Sequence, residues 1–308
     1  MSSPNGPASG LPVRMPRPRQ TGRHRRPEPA VAPEGAPALV LAVPGTPSAA
    51  VRGLAEEVIS IARSELPGLD ARIGYLDGAD DEFPALDTIL SRTAAERVAR
   101  YEQARAAGRE VAEPTGATAV VVPLLAGPDV ATERRIRQAV MDSTTAAELT
   151  EVLGPHPLLA EGLHVRLSEA GLSRADRARL FTVATAADGI ILATVGGDEA
   201  VQAAGITGML LAARLAVPVM AAALDVDGSV SAIAEQLRGS GSAHLALAPY
   251  LIGPEVSAEL LAGAAEEADC AAAEPLGAYP AVGKLVLSKY TTALGITPQQ
   301  PSQGAPVG

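Results

Sequence analysis

The chain has 308 residues, of which 47% are apolar but only 2% aromatic and none tryptophan, with one cysteine and a formal net charge of −10. That length suffices for one large or two ordinary domains with buried cores. The scarcity of aromatic rings removes the stacking platforms used by single-stranded nucleic acids and sugars, and the lone Cys270 excludes an intrachain disulfide framework or a cysteine-built zinc or iron–sulfur site.

Residues 1–37 are rich in Pro, Gly, Ser and Arg and have no apolar period, the composition of a disordered tail. Arg14, Arg17, Arg19, Arg23, Arg25 and Arg26 outnumber Glu28 and Glu34, so this tail carries +4 and the rest of the chain −14, which is −10 less the +4. So acidic a body disfavours binding to nucleic acid or to an anionic membrane. The tail itself reads as solvated, or as a contact for nucleic acid or an acidic partner. It lacks the apolar core of a signal peptide, and the single cysteine suits a reducing cytoplasm.

From Ala38 onward, apolar runs of strand length alternate with segments of helical spacing. A strand at 39–43 is followed by Thr46-Pro47, an N-cap and first-turn proline for a helix over 49–66. Then come a strand at 71–76, the acidic loop 77–82, a long charged helix over 84–107, a strand at 119–122, a helix over 129–141, a weak strand at 147–152 and a helix over 156–170. The second half predicts strands at 190–195, 217–224, 243–251 and 271–274, and helices over 199–215, 230–237, 255–268 and 279–294. Residues 205–224 have the length of a membrane span, but Arg214 and Pro218 divide them into helix and strand. The residues after Thr297 read as a second disordered tail.

The two halves repeat one another. PLLAGPDVATE at 123–133 returns as PYLIGPEVSAE at 249–259, both reading Pro-x-Leu-x-Gly-Pro-acid-Val-x-x-Glu. Three further landmarks keep the same order: ALVLAVPG at 38–45 with GIILATVG at 189–196, Leu76-Asp77 with Leu224-Asp225, and LGPHP at 153–157 with LGAYP at 276–280. Such order points to duplication, with an insertion in the first copy around 77–114. The expected fold is α/β: two pseudo-symmetric βα lobes, about 38–173 and 178–296, each a mostly parallel four-stranded sheet with helices on both faces.

Ligands of parallel sheets bind beyond the carboxyl ends of the strands. Those ends carry Pro44 to Ser48, Asp77, Gly127 to Asp129 and 153–157 in one half, and Gly196 to Glu199, Asp225, Gly253 to Glu255 and 276–280 in the other. His156 is suited to metal binding or proton transfer, or to capping a helix. Asp129 and Glu255 are suited to holding a hard cation or taking protons if both turns face one cleft; each also complements a helix N-terminus, behind a Gly-Pro turn that places proline in the first helical turn. Val195-Gly196-Gly197-Asp198 is a loose match to a phosphate-cradling turn, without the third glycine of a dinucleotide fingerprint or the Gly-Lys-Ser/Thr of a P-loop.

The first strand with its short glycine turn at 39–48, VVVPLLAG at 120–127, LGPHPLLAEGLHVRLSEAG at 153–171 and LGAYPAVGKLVLSKY at 276–290 together resemble class II chelatases, the sirohydrochlorin chelatases and CbiX-like cobaltochelatases. The resemblance covers 38–296. It implies insertion of Fe²⁺ or Co²⁺, as a substrate, into a sirohydrochlorin-type tetrapyrrole on the route to sirohaem or cobalamin, with no organic cofactor and compatibly with a homo-oligomer. Two pyrrole N–H protons must leave as the metal enters, so a base and a metal ligand are needed on one side of the macrocycle.

The family supplies these groups as histidines, one in the turn after the first strand and one just after the AG of the second landmark. Here those places are held by Pro44 of Pro44-Gly45-Thr46 and by Pro128 or Asp129. The resemblance then assigns catalysis to Asp129 and His156, metal contact to Asp129, Glu255 and His156, and the tetrapyrrole to Pro44, Gly45, Thr46, Gly127, Gly196 and Gly197. Arg134, Arg135, Arg137 and Lys284 are candidates for its carboxylates. Two alternatives remain: a non-catalytic relative that binds a tetrapyrrole or metal or assists another subunit, and a two-lobed module for a small molecule, indifferent to metals.

Overall fold

The structure is a computed structural model and describes residues 31–111, 113, 115–173, 186–253 and 255–296. Most of the two predicted tails, 1–30 and 297–308, lies outside the described residues. Residues just before the first strand are held against the body: the Ala32 amide donates to Pro67 (3.0 Å), and the Tyr290 hydroxyl to the Pro37 carbonyl (2.7 Å).

The first lobe is built from β1 (Ala38–Val43), α1 (Ala49–Glu65), β2 (Ala71–Tyr75), α2 (Leu86–Ala106), β3 (Ala119–Pro123), α3 (Val130–Asp142), β4 (Ala147–Leu149) and α4 (Pro157–Glu169). The second repeats the order with β5 (Gly189–Thr194), α5 (Gly197–Leu215), β6 (Val219–Ala223), α6 (Ser229–Gly239), β7 (Leu245–Pro249), α7 (Ala258–Glu267), β8 (Ala271–Ala272) and α8 (Pro280–Ala293). Each sheet is parallel throughout, ordered β2-β1-β3-β4 and β6-β5-β7-β8. Pro123 pairs with Ala42 and Pro249 with Ala193, so the repeated proline closes the equivalent strand in each lobe. The extra residues of the first copy lengthen one helix: α2 has 21 residues and its counterpart α6 has 11.

Period-two alternation sends successive residues of each strand into different cores. Leu39, Leu41 and Val43 of β1 face a core that is continuous across both lobes and takes in α1, α4, α5 and α8. Val40 and Ala42 face the outer core under α2 and α3, and Ile191 and Ala193 of β5 face the matching core under α6 and α7. The four central helices therefore lie between two sheets. Across the middle α1 packs on α8 and α4 on α5, the two contacts that a pseudo-twofold would interchange. Among the described residues, no helix is long and apolar enough to cross a membrane.

Three helix starts differ from those expected. Ser48, not Thr46, caps α1, accepting from the Val51 amide (3.2 Å) in extended geometry. Asp129 is itself the N-cap of α3, which leaves Pro128 outside the first turn. Glu255 does not cap α7; Ser257 does, two residues later. The extra methylene of glutamate lets that carboxylate turn back onto its own loop.

Candidate functional site

In both sheets the chain reverses its direction of winding between the first and third strands, β1 and β3 or β5 and β7, and crevices at the carboxyl ends form at such places. Here the two crevices merge. The turn after β3 meets the ends of β5 and β7, and a cavity of about 10 Å³ remains, lined by Gly127, Asp129, Thr194, Val195, Tyr250 and Glu255 among others. It has room for about one water or a bare cation, not for an organic ligand.

Close approach depends on two glycines. A side chain at Gly127 would lie 3.0 Å from the Tyr250 ring. Gly196, at φ +109°, sits where a Cβ would come within 3.0 Å of the Pro128 carbonyl and 3.2 Å of the Asp129 Cα. Tyr250 reaches from the second lobe into the first, where its hydroxyl donates to the Ala126 carbonyl (2.9 Å). Burial pushes its pKa up to about 12, against a lowering influence of the Thr207 hydroxyl.

The pseudo-equivalent acids, Asp129 and Glu255, thus line one crevice. Asp129 Oδ1 accepts from the Ala131 (3.0 Å) and Thr132 (3.2 Å) amides, and Oδ2 from the Thr132 hydroxyl (2.5 Å). Glu255 accepts from the amides of Ile252 (2.8 Å) and Gly253 (2.6 Å). Burial raises the Glu255 carboxyl above its ordinary value of 4.5, and the charge of Asp129 adds to this, while the two loop amides oppose it. Each carboxylate keeps lone pairs that these bonds do not use.

His156 does not join them. It caps α4, with Nδ1 accepting from the Leu158 amide (3.1 Å) and Pro157 as the first helical residue. Burial, and then the Lys289 ammonium, lowers its pKa from 6.5, so the ring is neutral at neutral pH. No group of three or more His, Cys, Asp or Glu side chains placed to hold a metal ion occurs among the described residues.

The remaining candidates divide. Gly127 and Gly196 belong to the crevice and its rim. Gly196 and Gly197 aim their amides at Asp225, whose carboxylate accepts both (3.0 and 3.3 Å), so a side-chain anion already occupies the turn that resembles a phosphate cradle. Pro44 is buried at the end of β1, Gly45 takes φ +80°, and Thr46 is exposed. Arg134 is exposed on α3, Arg135 is bonded to Asp77, and Lys284 lies 3.6 Å from Glu65 of α1. Tyr250 and Asp225 were not singled out by chemistry. Tyr250 leaves one trace in the sequence: it is the aromatic member of the repeat, opposite Leu124, in a chain with few aromatic residues.

No family model and no curated protein sequence matches the chain. Solved structures do. SirB from Bacillus subtilis with Fe³⁺ superposes at a TM-score of 0.58 with 13% identity, covering 84% of this chain and 98% of that one. The sirohydrochlorin chelatase SirB from Bacillus subtilis subspecies spizizenii in complex with cobalt gives 0.53 at 13% identity, over 84% and 97%. CbiX, described as the terminal enzyme for biosynthesis of siroheme in denitrifying bacteria, gives 0.50 at 14%, over 84% and 99%. The chain has a class II chelatase-like fold.

Proposed function

We propose that the protein is a chelatase that inserts Fe²⁺ or Co²⁺ into a sirohydrochlorin-type tetrapyrrole at the mouth of the inter-lobe crevice. One observation carries this reading: the duplicated Gly-Pro-acid turns, far apart in sequence, bring Asp129 and Glu255 to a single crevice at the carboxyl ends of both sheets. The fold shared with SirB, whose structures contain Fe³⁺ or cobalt, supports it. The cavity is too small for a macrocycle, which would lie across its mouth above the carboxylates. Metal entry releases two pyrrole protons; Glu255, with its raised pKa, accepts one, and the other passes to solvent at the crevice mouth. Asp129 supplies the nearby negative charge that draws in the cation. With only two carboxylates, the metal is held weakly and passes on to the pyrrole nitrogens.

A second reading rests on an observation of its own. All the oxygens of Asp129 and Glu255 already accept bonds from their own turns, and among the described residues no imidazole lines the crevice beside them. In that reading the protein binds a tetrapyrrole or metal, or assists a partner subunit, without turnover. In either case we place it in the cytoplasm, where such substrates are kept reduced.

The absorbance of sirohydrochlorin, followed anaerobically with Co²⁺ or Fe²⁺, separates the two. Insertion faster than the blank with wild type, and slowed at least about tenfold in Glu255→Gln, is the result expected of a chelatase using this base. A rate equal to the blank with both metals overturns the catalytic reading, and a spectral shift saturating at one equivalent of protein then establishes binding.

A further inference from the structure

A second, larger recess lies outside the crevice. It measures about 210 Å³ at the carboxyl ends of β3 and β4, under the first two turns of α3. Behind it lie the buried Pro123 and Ile136, and the partly exposed Leu149 and Thr150 form its floor. Its rim is charged, with Glu133 and Arg137 from α3 and Glu151 after β4.

Two features of that rim point to a ligand. Glu133 and Arg137 stand four residues apart on one helix, in the order that normally favours mutual pairing, yet within 4.0 Å neither has an ion-pair partner among the described residues. A carboxylate and a guanidinium therefore face one recess with a gap between them. The third charge, Glu151, is exposed to solvent and lies 3.7 Å from the Lys289 ammonium, and both screen it. What remains is one positive and one negative group above that floor.

We propose that this recess binds a small aliphatic zwitterion, a free α-amino acid. Arg137 receives the α-carboxylate in the two-pronged geometry that a guanidinium offers, Glu133 the α-ammonium, and Leu149 the aliphatic side chain. A dicarboxylate would meet Glu133 and a diamine Arg137, each an uncompensated like charge. The volume is below that of drug-sized pockets and suits a ligand of a few heavy atoms. The position, beyond the carboxyl ends of parallel strands, is where such sheets take ligands. The site is separate from the crevice, and it gives Arg137, a sequence candidate for tetrapyrrole carboxylates, a different ligand.

The test is isothermal titration of the full chain with L-leucine and L-valine, beside isocaproate and isoamylamine, each of which lacks one of the two charges. Saturable binding of the amino acids, at least about tenfold tighter than of either analogue and weakened at least about tenfold by Arg137→Ala or Glu133→Gln, is the expected result. Leu149→Phe, which fills the floor and keeps both charges, should abolish it as well, and thermal unfolding of each variant shows that the fold is retained. No saturable heat up to about 10 mM amino acid, a range that covers weak ligands, overturns the proposal. So does equal affinity for isocaproate, or binding unchanged in Arg137→Ala.

Discussion

The hydroxyl of Tyr250, at the end of β7, donates to the Ala126 carbonyl, at the end of β3, across the boundary between the lobes. Both residues are 1–2% exposed or less. The contact sits directly behind the turn that carries Asp129, so it sets how far apart the two acids of the crevice can lie.

Replacing Tyr250 by Phe leaves the ring and removes the donor. The Ala126 carbonyl then stays buried without it, and a loss of about 1–3 kcal/mol is expected in urea or thermal unfolding. Gly154→Ala should do worse, because its Cβ would lie 2.1 Å from the Tyr250 hydroxyl and 2.5 Å from the Ala126 carbonyl. The raised tyrosine pKa adds an alkaline signature: stability present below pH 10 is lost as pH rises towards 12, and Tyr250→Phe removes its share of that loss.

Two helix glycines, Gly283 where α8 packs on α1 and Gly205 in α5, make opposite predictions. A Cβ at Gly283 would lie 2.6 Å from the Ile61 side chain and 3.0 Å from the Val58 carbonyl, so Gly283→Ala pushes the helices apart and should cost about 1–3 kcal/mol. At Gly205, inside α5, a Cβ meets nothing within 4 Å. Gly205→Ala should therefore stabilise by about 0.5–1 kcal/mol, through the gain in helix propensity. Urea midpoints of the two variants against wild type check both signs.

The duplication carried most of the fold in the sequence. Apolar strands and the repeated proline-to-acid turn pointed to two matching, mostly parallel four-stranded units, because each copy had to make the same unit; that β3 lies beside β1 and β7 beside β5 is seen only in the fold. The acids of those turns could be read as helix caps or as site residues, and Asp129 is both a cap and a wall of the crevice. Glu255 was harder, since only the folded loop shows its carboxylate turned onto Ile252 and Gly253 rather than onto α7. The partnership of Tyr250 with Ala126 was not legible, because residues 124 apart meet only through the docking of one lobe on the other. Nor were the bonds of Asp225 to Gly196 and Gly197 legible, since they form only when β6 docks beside β5 within the second lobe.

Asp188 predicts an acid-side dependence. Its carboxylate accepts from the amides of Ala243 (3.0 Å) and His244 (2.8 Å), and these bonds hold its pKa below the ordinary 3.8. A depressed carboxylate stabilises the fold above its unfolded pKa and loses that contribution as pH falls through the folded one. Wild type should therefore exceed Asp188→Asn in urea midpoint at neutral pH, with the difference shrinking below pH 3.8. A constant difference across that window would show that the two amides do not favour the charged form.

Glu255 predicts the reverse. Burial and the charge of Asp129 raise its pKa, so the folded state prefers the protonated carboxyl. Its contribution is fully present below the unfolded value, near 4.5, and is lost as pH rises through the higher folded value. Glutamine cannot ionise. It also offers one carbonyl oxygen where two amides need acceptors, which sets a constant offset between variant and wild type but no slope. The stability of wild type relative to Glu255→Gln should accordingly fall as pH is raised from 4.5 towards neutrality. In Asp129→Asn the slope should flatten, because the neighbouring charge is gone, while burial keeps its sign. Urea midpoints of the three proteins across that range measure it. A slope of the opposite sign would mean that the loop amides of Ile252 and Gly253 outweigh burial, leaving Glu255 a permanent carboxylate and a poor acceptor for a pyrrole proton.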